Sequence, residues 1–512
     1  MKPSPYQQAI FDFVTNGTGS AVVQACAGSG KTTTIIKALE LIPPDQSVLM
    51  LAFNKSIATE LAERAPKHVE VKTFNGLGHS ILAGRINRPI LDSSKVRKII
   101  REQITDGFDR REYSEAVTAL CGYVRRMGLL PEGCKGTPLM EDTPDSWTYL
   151  IEHFGVPVDK YTRQTVIDYT RVCVKESINL AADKRVIDFD DQIYIPAIRE
   201  FTKDRYDWVF VDEAQDVSPV RTKLVELVLK EGGRLVAVGD IFQAIYGFSG
   251  ADAEAMNTLR HKFDAISLPL SISYRCAKSV VAAAQQVMPS IEASETAPDG
   301  EVQQVAAWEL SELQGGDMVI CRRNAPVISL AWKLISQGIP ARILGRDIGG
   351  GLVKLIEKLQ PKGIKGTHGL IEKLGQWQQA ETKRWAKDER DDMIEAVNDK
   401  VNCIHAIVER TTVKTVPDLI RSIEAMFSDD TDNQQAITLC SIHKSKGLEA
   451  DRVWFLDPDL IPLKCAKQPW QIEQETNLRY VGITRAKREL RFIQSDLLVE
   501  KKPENKKRKK AA

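Results

Sequence analysis

Short apolar or β-branched runs recur along this chain of 512 residues, and most are followed by a stretch with helical spacing. Most runs are four to seven residues long and do not alternate cleanly between apolar and polar positions. That pattern is typical of strands buried on both faces of a parallel sheet. Strands alternating with helices predict an α/β protein. The predicted strands are residues 21–25, 47–53, 69–73, 208–211, 234–238, 265–268, 317–321, 341–344, 436–441, 452–456 and 490–493.

Two segments interrupt this alternation because they are rich in helical patterns and poor in strand runs. We interpret both as helical insertions into two α/β domains. A run of three glycines, Gly349 to Gly351, is the predicted hinge into the second insertion. The predicted parts are a first α/β domain (1–84 and 201–265) with the insertion 85–200, a second α/β domain (266–350 and 434–495) with the insertion 351–433, and a basic disordered tail (496–512).

Composition narrows the class of protein. No apolar run approaches the ~18 residues of a membrane span, and the polar N-terminus has no signal-peptide core. The nine cysteines are scattered without a C-x-x-C pair, which argues against a disulfide framework, a zinc ribbon or an iron–sulfur cluster. We therefore expect a soluble intracellular protein with no membrane partner, in the cytoplasm of a bacterium or a phage-infected cell, or in a nucleus if the source is eukaryotic.

The formal net charge of +1 conceals an uneven distribution. Residues 501–510 hold seven Lys/Arg and one Glu, so the rest of the chain has a net charge of −5. Such a tail is usually a solvated end, and the alternatives are a contact with nucleic acid or a nuclear address. The overall charge therefore does not exclude a nucleic-acid partner.

A candidate phosphate loop follows the first predicted strand. The sequence A25-C-A-G-S-G-K-T-T-T leads into the helical stretch IIKALELI, which is the strand–loop–helix context that a phosphate loop requires. Lys31 is expected against the β- and γ-phosphates, and the Thr32 hydroxyl on Mg²⁺. Ala25 replaces the first glycine of the general pattern. The candidate nucleotide-binding residues of the loop are Ala27, Gly28, Ser29, Gly30, Lys31, Thr32 and Thr33.

A second candidate lies where an apolar strand ends in adjacent carboxylates, within D207-W-V-F-V-D-E-A-Q-D. Ligands bind at the carboxyl ends of strands in open α/β sheets. Asp212 is the expected Mg²⁺ ligand, directly or through water, and Glu213 the expected base for the water that attacks the γ-phosphate. The alternative is an acidic N-cap cluster on the next helix. Together the two motifs predict nucleotide hydrolysis.

Further blocks occur in order from residue 4 to about residue 493, and with the two motifs above they resemble superfamily 1 DNA helicases of the UvrD/Rep type. The blocks A52-F-N-K-S-I-A and V71-K-T-F are most similar to the helicase part of the F-box DNA helicases, without an F-box segment before the phosphate loop. The resemblance implies two RecA-like P-loop domains with parallel sheets, each with a mainly helical insertion. It also implies ATP and Mg²⁺ as cofactors.

Two of these blocks are similar to motifs that lie beside the nucleotide in this family. S4-P-Y-Q-Q-A-I is similar to the Q motif, whose glutamine reads the adenine edge, and Gln7 is the candidate with Gln8 as the alternative. The block V238-G-D-I-F-Q-A-I-Y-G-F-S-G-A is similar to motif III, which lies between nucleotide and DNA. The resemblance implies that Gln243 senses the γ-phosphate, while Tyr246 and Phe248 meet DNA bases.

Three later blocks complete the implied ATP site. L268-P-L-S-I-S-Y-R is similar to motif IV, which implies that Tyr274 stacks on adenine and Arg275 reaches the γ-phosphate. I437-T-L-C-S-I-H-K-S-K-G-L-E is similar to motif V, with Glu449 on the ribose, and Y480-V-G-I-T-R-A-K is similar to motif VI, with Arg485 as a second arginine finger.

The two arginines suit a γ-phosphate transition state because guanidinium groups are planar and always charged. We expect the second α/β domain to supply Arg275 and Arg485 across a cleft from Lys31 and Glu213. Hydrolysis would then depend on cleft closure, and the opening and closing cycle can step a bound strand.

Three positions depart from the family's pattern. Ser249 stands where Arg is common, Ser273 where Asn is usual, and Thr33 where UvrD-type loops often carry Arg. The first change removes a contact with phosphate or DNA. None removes a catalytic group, so step size and affinity are affected rather than the expectation of ATP hydrolysis.

The implied DNA track depends on stacking, which contributes ~1–3 kcal/mol per base. The segment D188-F-D-D-Q resembles one that precedes the acidic strand in this family, with a structural role as the alternative. The second insertion is shorter than the corresponding UvrD/Rep subdomain, so regulation by its rotation is left open. The candidate DNA-binding residues are Lys55, Thr73, Phe74, Tyr246, Phe248 and His443.

The leading hypothesis is an ATP-dependent helicase or translocase on single-stranded and tailed duplex DNA, with movement from 3′ to 5′ implied by the resemblance alone. A variant of it strips a recombinase filament or a single-strand-binding protein from DNA. The alternative class is a nucleotide-gated DNA-binding or scaffold protein, against which Glu213, Gln243, Arg275 and Arg485 all argue. A helicase–nuclease is disfavoured because few residues follow residue 493.

Overall fold

The computed structural model describes residues 2–245, 254–360, 366–410, 413–427 and 435–499. It divides into two compact units. The first contains Met1–Arg275, Ser290–Ser294 and Arg384–Met393, and the second contains Cys276–Pro289, Glu295–Lys383 and Ile394–Ala512. No helix in the described ranges is long and apolar enough to cross a membrane.

All eleven strands predicted from the hydrophobic pattern are strands of the structure, with ends that shift by a few residues. In chain order the strands are β1 (Ala21–Ala25), β2 (Val48–Ala52), β3 (Val69–Thr73), β4 (Ile90–Leu91), β5 (Val186–Ile187), β6 (Tyr206–Val211), β7 (Leu229–Gly239), β8 (Ile266–Leu270), β9 (Ile272–Ser273), β10 (Glu292–Ala293), β11 (Glu301–Gln304), β12 (Met318–Cys321), β13 (Ala341–Ile343), β14 (Ile437–Ser441), β15 (Ala450–Leu456) and β16 (Ala486–Ile493).

The helices follow most strands and occupy the two interruptions. In chain order they are α1 (Pro5–Asn16), α2 (Lys31–Glu40), α3 (Lys55–Arg64), α4 (Phe74–Ala83), α5 (Lys95–Gln103), α6 (Gly107–Met127), α7 (Pro144–His153), α8 (Arg163–Lys184), α9 (Asp191–Arg199), α10 (Pro219–Val228), α11 (Ala255–Lys262), α12 (Lys278–Ala284), α13 (Asn324–Ser336), α14 (Arg346–Leu359), α15 (Thr367–Lys387), α16 (Asp391–Arg410), α17 (Val416–Met426), α18 (Ile442–Ser445) and α19 (Pro469–Ile483).

The first unit is built on a six-stranded parallel sheet in the order β3-β2-β6-β7-β1-β8. Every residue of β2 is buried, as expected for a run of apolar residues covered on both faces. The phosphate loop follows β1, and the acidic pair follows β6, so both lie at the carboxyl edge of this sheet. This edge is where a parallel sheet binds ligands.

The predicted boundary between the two α/β domains at residue 266 requires correction. Strand β8 pairs with β1 along its whole length, from Ala21 opposite Ile266 to Ala25 opposite Leu270. The first unit therefore extends to Arg275. The pattern of apolar residues identifies β8 as a strand, but it does not show which sheet the strand joins.

The helices of the first predicted insertion, residues 85–200, pack around a buried ion cluster. Lys95 Nζ lies 2.6 Å from Asp191 Oδ2, and both side chains are at most 1% exposed. Arg125 Nη1 donates to both carboxylate oxygens of Asp188 at 2.8 Å and to Asp191 Oδ1 at 3.1 Å. Buried charges need partners of this kind because burial without them costs several kcal/mol. The cluster joins α5 and α6 to the segment that begins α9.

The second unit is built on another six-stranded parallel sheet, in the order β11-β16-β15-β12-β14-β13. The mixed α/β architecture with two RecA-like parallel sheets is thus confirmed. Strand β11 has no counterpart among the predicted strands. Its sequence, EVQQ, is polar and mostly exposed at the edge of the sheet, so it carries no apolar signal.

The glycine run predicted to be a hinge lies within helix α14. Gly349 is placed in that helix where a Cβ would come within 2.9 Å of the Phe427 ring. Leu352 and Ile356 of the same helix are buried. The glycine at 349 therefore permits close packing, and the hinge prediction is wrong.

Candidate functional site

The phosphate loop joins β1 to α2 in the geometry that suits an anion. Gly28 and Gly30 have φ angles of 72° and 74°, in the left-handed region that glycine adopts without strain. Helix α2 begins after Gly30 with no side-chain cap, so its first N–H groups face the loop. The Ser29 hydroxyl is buried without a hydrogen-bond partner. A bound phosphate would satisfy these donors.

Motif IV lies against this loop within the first unit. Tyr274 N donates to Gly28 O at 2.8 Å, and the Tyr274 side chain is 43% exposed. A Cβ built on Gly28 would lie 2.4 Å from Arg275 Cβ. The expectation that Arg275 belongs to the second α/β domain is therefore wrong, because strand β8 carries this segment back to the phosphate loop.

Lys31 lies among three carboxyl groups. Its Nζ is 3.2 Å and 3.3 Å from the two carboxylate oxygens of Glu213. Burial acts to lower the pKa of Lys31, but the negative charges of Glu213, Asp240 and Asp212 outweigh it and raise that pKa. The structure thus brings together the residues predicted to bind phosphate, to hold the metal and to activate water.

The pKa values of Asp212 and Asp240 are both raised. Burial, followed by the charge of Glu213, raises the pKa of Asp212 to about 6 despite the opposing effect of Lys31. Burial likewise raises the pKa of Asp240 to about 6. Three carboxyl groups facing one lysine leave a surplus of negative charge that Mg²⁺ would neutralise, so the side chains present fit the predicted metal.

This surplus charge predicts a pH-dependent stability. Acids whose pKa is raised by folding stabilise the protein at low pH, and that stability is lost as pH rises through the raised value. Between pH 5 and 7.5 Asp240→Asn should gain stability relative to the wild type, by on the order of 2 kcal/mol. Denaturant unfolding without nucleotide or Mg²⁺ measures this difference. Asp12→Asn, on the exposed part of α1, is the control. A stability difference between Asp240→Asn and the wild type that did not change with pH would contradict the raised pKa of Asp240.

Gln243 is positioned by Asp240, a residue to which the sequence reasoning gave no role. Gln243 Nε2 donates to Asp240 Oδ2 at 2.6 Å, and Asp240 Oδ1 accepts from Phe242 N at 3.1 Å. Asp240 directly follows β7, which neighbours β1, so its place at the carboxyl edge could have been found from the strand pattern.

The N-terminal helix places Gln7, rather than Gln8, beside the phosphate loop. Gln7 Nε2 donates to Thr34 Oγ1 at 3.1 Å, and a Cβ on Gly30 would lie 3.8 Å from it. Gln8 instead donates to Asp12 at 2.8 Å on the exposed part of α1. Of the two alternatives, Gln7 has the geometry of a nucleotide contact.

The residues expected from motifs V and VI lie in the second unit. Arg485 is 1% exposed, and its guanidinium donates to the carbonyl oxygens of Val481 and Leu448 at 2.9 Å. Glu449 pairs with Lys487 at 2.8 Å. These contacts fix the motif V turn to the motif VI strand.

His443, a predicted DNA contact, is neutral at physiological pH. Burial, and after it the charges of Arg322 and Lys444, lower the pKa of His443 to about 3. A contact from this ring with DNA would be a hydrogen bond or a stacking interaction, and not an ion pair with phosphate.

The remaining predicted DNA-binding residues lie in different environments. Lys55 is exposed at the start of α3, and Thr73 caps α4 by accepting from Gly76 N. Phe74 is 1% exposed and packs in the core with Arg221 over its ring, so its prediction as a stacking residue is wrong. Tyr246, Phe248, Ser249 and residues 500–512 of the predicted tail lie outside the described residues. The predicted start of the disordered tail at residue 496 is wrong, because Val499 N donates to Trp308 O at 2.8 Å.

An exposed aromatic residue close to Phe74 in the fold was missed. Phe189, within D188-F-D-D-Q, is 53% exposed although its neighbours Asp188 and Asp191 are buried. Asn75 Nδ2 donates to its carbonyl oxygen at 2.7 Å. The available signal was one phenylalanine among acidic residues, of which Asp188 and Asp191 are held in buried ion pairs.

Parallel sheets with a phosphate loop and an acidic strand end define a P-loop protein with RecA-like domains. A family model described as the UvrD/REP helicase N-terminal domain matches residues 6–264, and one described as the UvrD-like helicase C-terminal domain matches residues 353–496. The chain belongs to the UvrD/REP helicase family, which confirms the resemblance seen in its motifs.

Individual relatives agree with this assignment. The chain is 24% identical to F-box DNA helicase protein 1 of Schizosaccharomyces pombe over 516 residues, which cover 94% of the chain and 56% of the relative. It is 26% identical to F-box DNA helicase 1 of Gallus gallus, covering 96% and 49%. It is 21% identical to DNA helicase II of Haemophilus influenzae, covering 92% and 81%. The chain thus spans about half the length of the two F-box relatives.

Proposed function

We propose that this chain is an ATP-dependent DNA helicase or translocase that moves from 3′ to 5′ on single-stranded DNA. The observation that carries the proposal is the placement of Lys31 against Glu213 at the carboxyl edge of the first sheet, with Asp212 and Asp240 beside them. These residues form a phosphate site and a water-activating carboxylate in one place. Family membership supports DNA as the track.

Each residue of the proposed site has a separate task. The backbone of residues 27–30 and Lys31 would hold the phosphates, while Thr32 and Asp212 would hold Mg²⁺, whose charge offsets that of the phosphates. Tyr274 and Gln7 would contact the adenine, and Glu449 would contact the ribose. Thr33, in the first turn of α2, would also contact the nucleotide. Arg275 and Arg485 would neutralise charge on the transferred phosphoryl group. Glu213 would accept the proton of the attacking water.

The biological role that we propose is strand separation or protein displacement during DNA repair, recombination or replication. Candidate protein partners are a recombinase filament or a single-strand-binding protein. The proposal is tested by unwinding of 3′-tailed and 5′-tailed duplexes with ATP and Mg²⁺. We expect unwinding of the 3′-tailed substrate and stimulation of ATP hydrolysis by single-stranded DNA. Equal hydrolysis with and without DNA, and no unwinding of either substrate, would refute the proposal.

Phe189 is a proposed base-stacking residue of the DNA track. Replacing it by Ala should weaken binding of single-stranded DNA about tenfold, because stacking contributes ~1–3 kcal/mol per base. Fluorescence anisotropy with an oligothymidine measures the affinity. Phe108→Ala is the matched control, since Phe108 is 64% exposed at the start of α6. Equal affinity of the two variants would exclude stacking by Phe189.

A further inference from the structure

The side chain of Gln215 joins two segments of the candidate ATP site. Gln215 is 1% exposed, and its Nε2 donates to Glu213 Oε2 at 2.5 Å. Its Oε1 accepts from the backbone N–H of Asp240 at 2.9 Å. Asp240 in turn holds Gln243. One buried amide thus links the carboxylate that follows β6 to the residues that follow β7.

The packing around this amide leaves little freedom. A Cβ on Gly239 would lie 2.6 Å from Gln215 Oε1 and 2.9 Å from Gln215 N, so the glycine at the end of β7 permits the close approach. A primary amide offers a donor on one side and an acceptor on the other without needing a titratable proton. The residue type is therefore matched to both neighbours.

The link matters because Glu213 also contacts Lys31. Lys31 Nζ lies 3.2 Å from Glu213 Oε1. An arriving phosphate competes for Lys31, because phosphate carries more negative charge than one carboxylate. The hydrogen bond from Gln215 goes to the other oxygen, Oε2, and does not depend on Lys31. It can hold the carboxylate in place after the ion pair has opened.

We propose that Gln215 is a positioning residue that holds the Glu213 carboxylate at a fixed position relative to the end of β7. The base Glu213 and the γ-phosphate sensor Gln243 then form one rigid group. Gln215 acts through Glu213 and Asp240. This inference rests on the proposed function, because it assigns Gln215 a part in ATP hydrolysis.

The test compares Gln215→Glu with the wild type in full-length protein, using ATP, Mg²⁺ and oligothymidine. The variant keeps the shape and the acceptor but places a second carboxyl group beside Glu213. We expect kcat to fall about tenfold or more, as for other displaced catalytic groups, while KM for ATP changes less than threefold. A purely structural role would instead lower nucleotide affinity together with kcat.

Two further variants complete the design. Gln215→Met removes both hydrogen bonds without adding charge, and it should lower kcat with nucleotide affinity retained. Gln46→Glu is the matched control, since Gln46 accepts from Trp208 Nε1 before β2, away from the carboxyl edge. This variant should change neither kcat nor KM for ATP.

The possible outcomes separate the inference from the proposed function. Wild-type kcat in both Gln215 variants overturns the positioning role while the ATPase assignment stands. Loss of folding and of nucleotide binding in both variants also overturns it, because Gln215 would then be structural. A wild-type protein without DNA-stimulated ATP hydrolysis refutes the proposed function itself.

Discussion

Glu213→Gln is expected to lower the ATP turnover number by about a hundredfold or more, because a general base typically contributes about 10²–10⁴-fold. The amide has the shape of the carboxylate but cannot accept the proton of the attacking water. ATP binding should be retained or become tighter, because Lys31 would no longer pair with a carboxylate 3.2 Å away when the phosphate arrives. Steady-state hydrolysis with oligothymidine measures turnover, and titration with a fluorescent ATP analogue measures binding.

Glu40→Gln is the matched control for this experiment. Glu40 is exposed at the far end of α2, the helix that begins at Lys31. The control should hydrolyse ATP at the wild-type rate. If Glu213→Gln retained more than half of the wild-type turnover, Glu213 would not be the base, and Asp240 or Asp212 would have to be considered for that role.

Gly28→Ala is expected to weaken ATP binding about a hundredfold, because two costs combine to about 3 kcal/mol. The backbone at Gly28 has a φ of 72°, which strains any residue with a Cβ. The added methyl would also lie 2.4 Å from Arg275 Cβ and 2.9 Å from Ser273 Oγ. Either the phosphate loop or the motif IV segment must move. Nucleotide titration measures the affinity, and thermal unfolding measures the strain.

Gly19→Ala separates these two costs. Gly19 has a φ of 69° just before β1, and no atom lies within 4 Å of the position of its Cβ. The control variant should show only the loss of stability from backbone strain, about 1 kcal/mol, with ATP affinity unchanged. Equal ATP affinities for the two variants would show that the contact between Gly28 and Arg275 is not part of the nucleotide site.

The parts of the site that could be predicted from sequence are those encoded locally. The phosphate loop and the acidic pair each follow a buried strand, and parallel strands bring their carboxyl ends to one edge. Lys31 and Glu213 are 182 positions apart, yet this rule places them together. The same strand signal could have located Asp240, which follows β7.

Other features depend on tertiary contacts that a local pattern does not contain. Phe74 and Phe189 both adjoin polar residues, but the first is 1% exposed and the second 53%. They differ in their surroundings: Phe74 lies in an apolar core, whereas the chain neighbours of Phe189, Asp188 and Asp191, belong to a buried ion cluster. Likewise, the local pattern does not show whether β8 joins the first sheet, where it pairs with β1, or the second.

The pairing of β8 with β1 determines where a recombinant fragment of the first unit should end. A fragment ending at residue 264, where the N-terminal family match stops, would lack β8. Strand β1 would then become an edge strand, with the backbone N–H and C=O groups of Ala21–Ala25 on that side unpaired. An exposed apolar edge strand can pair with other chains, which leads to aggregation. Ending the fragment after Arg275 keeps that margin covered and retains the segment that packs on Gly28.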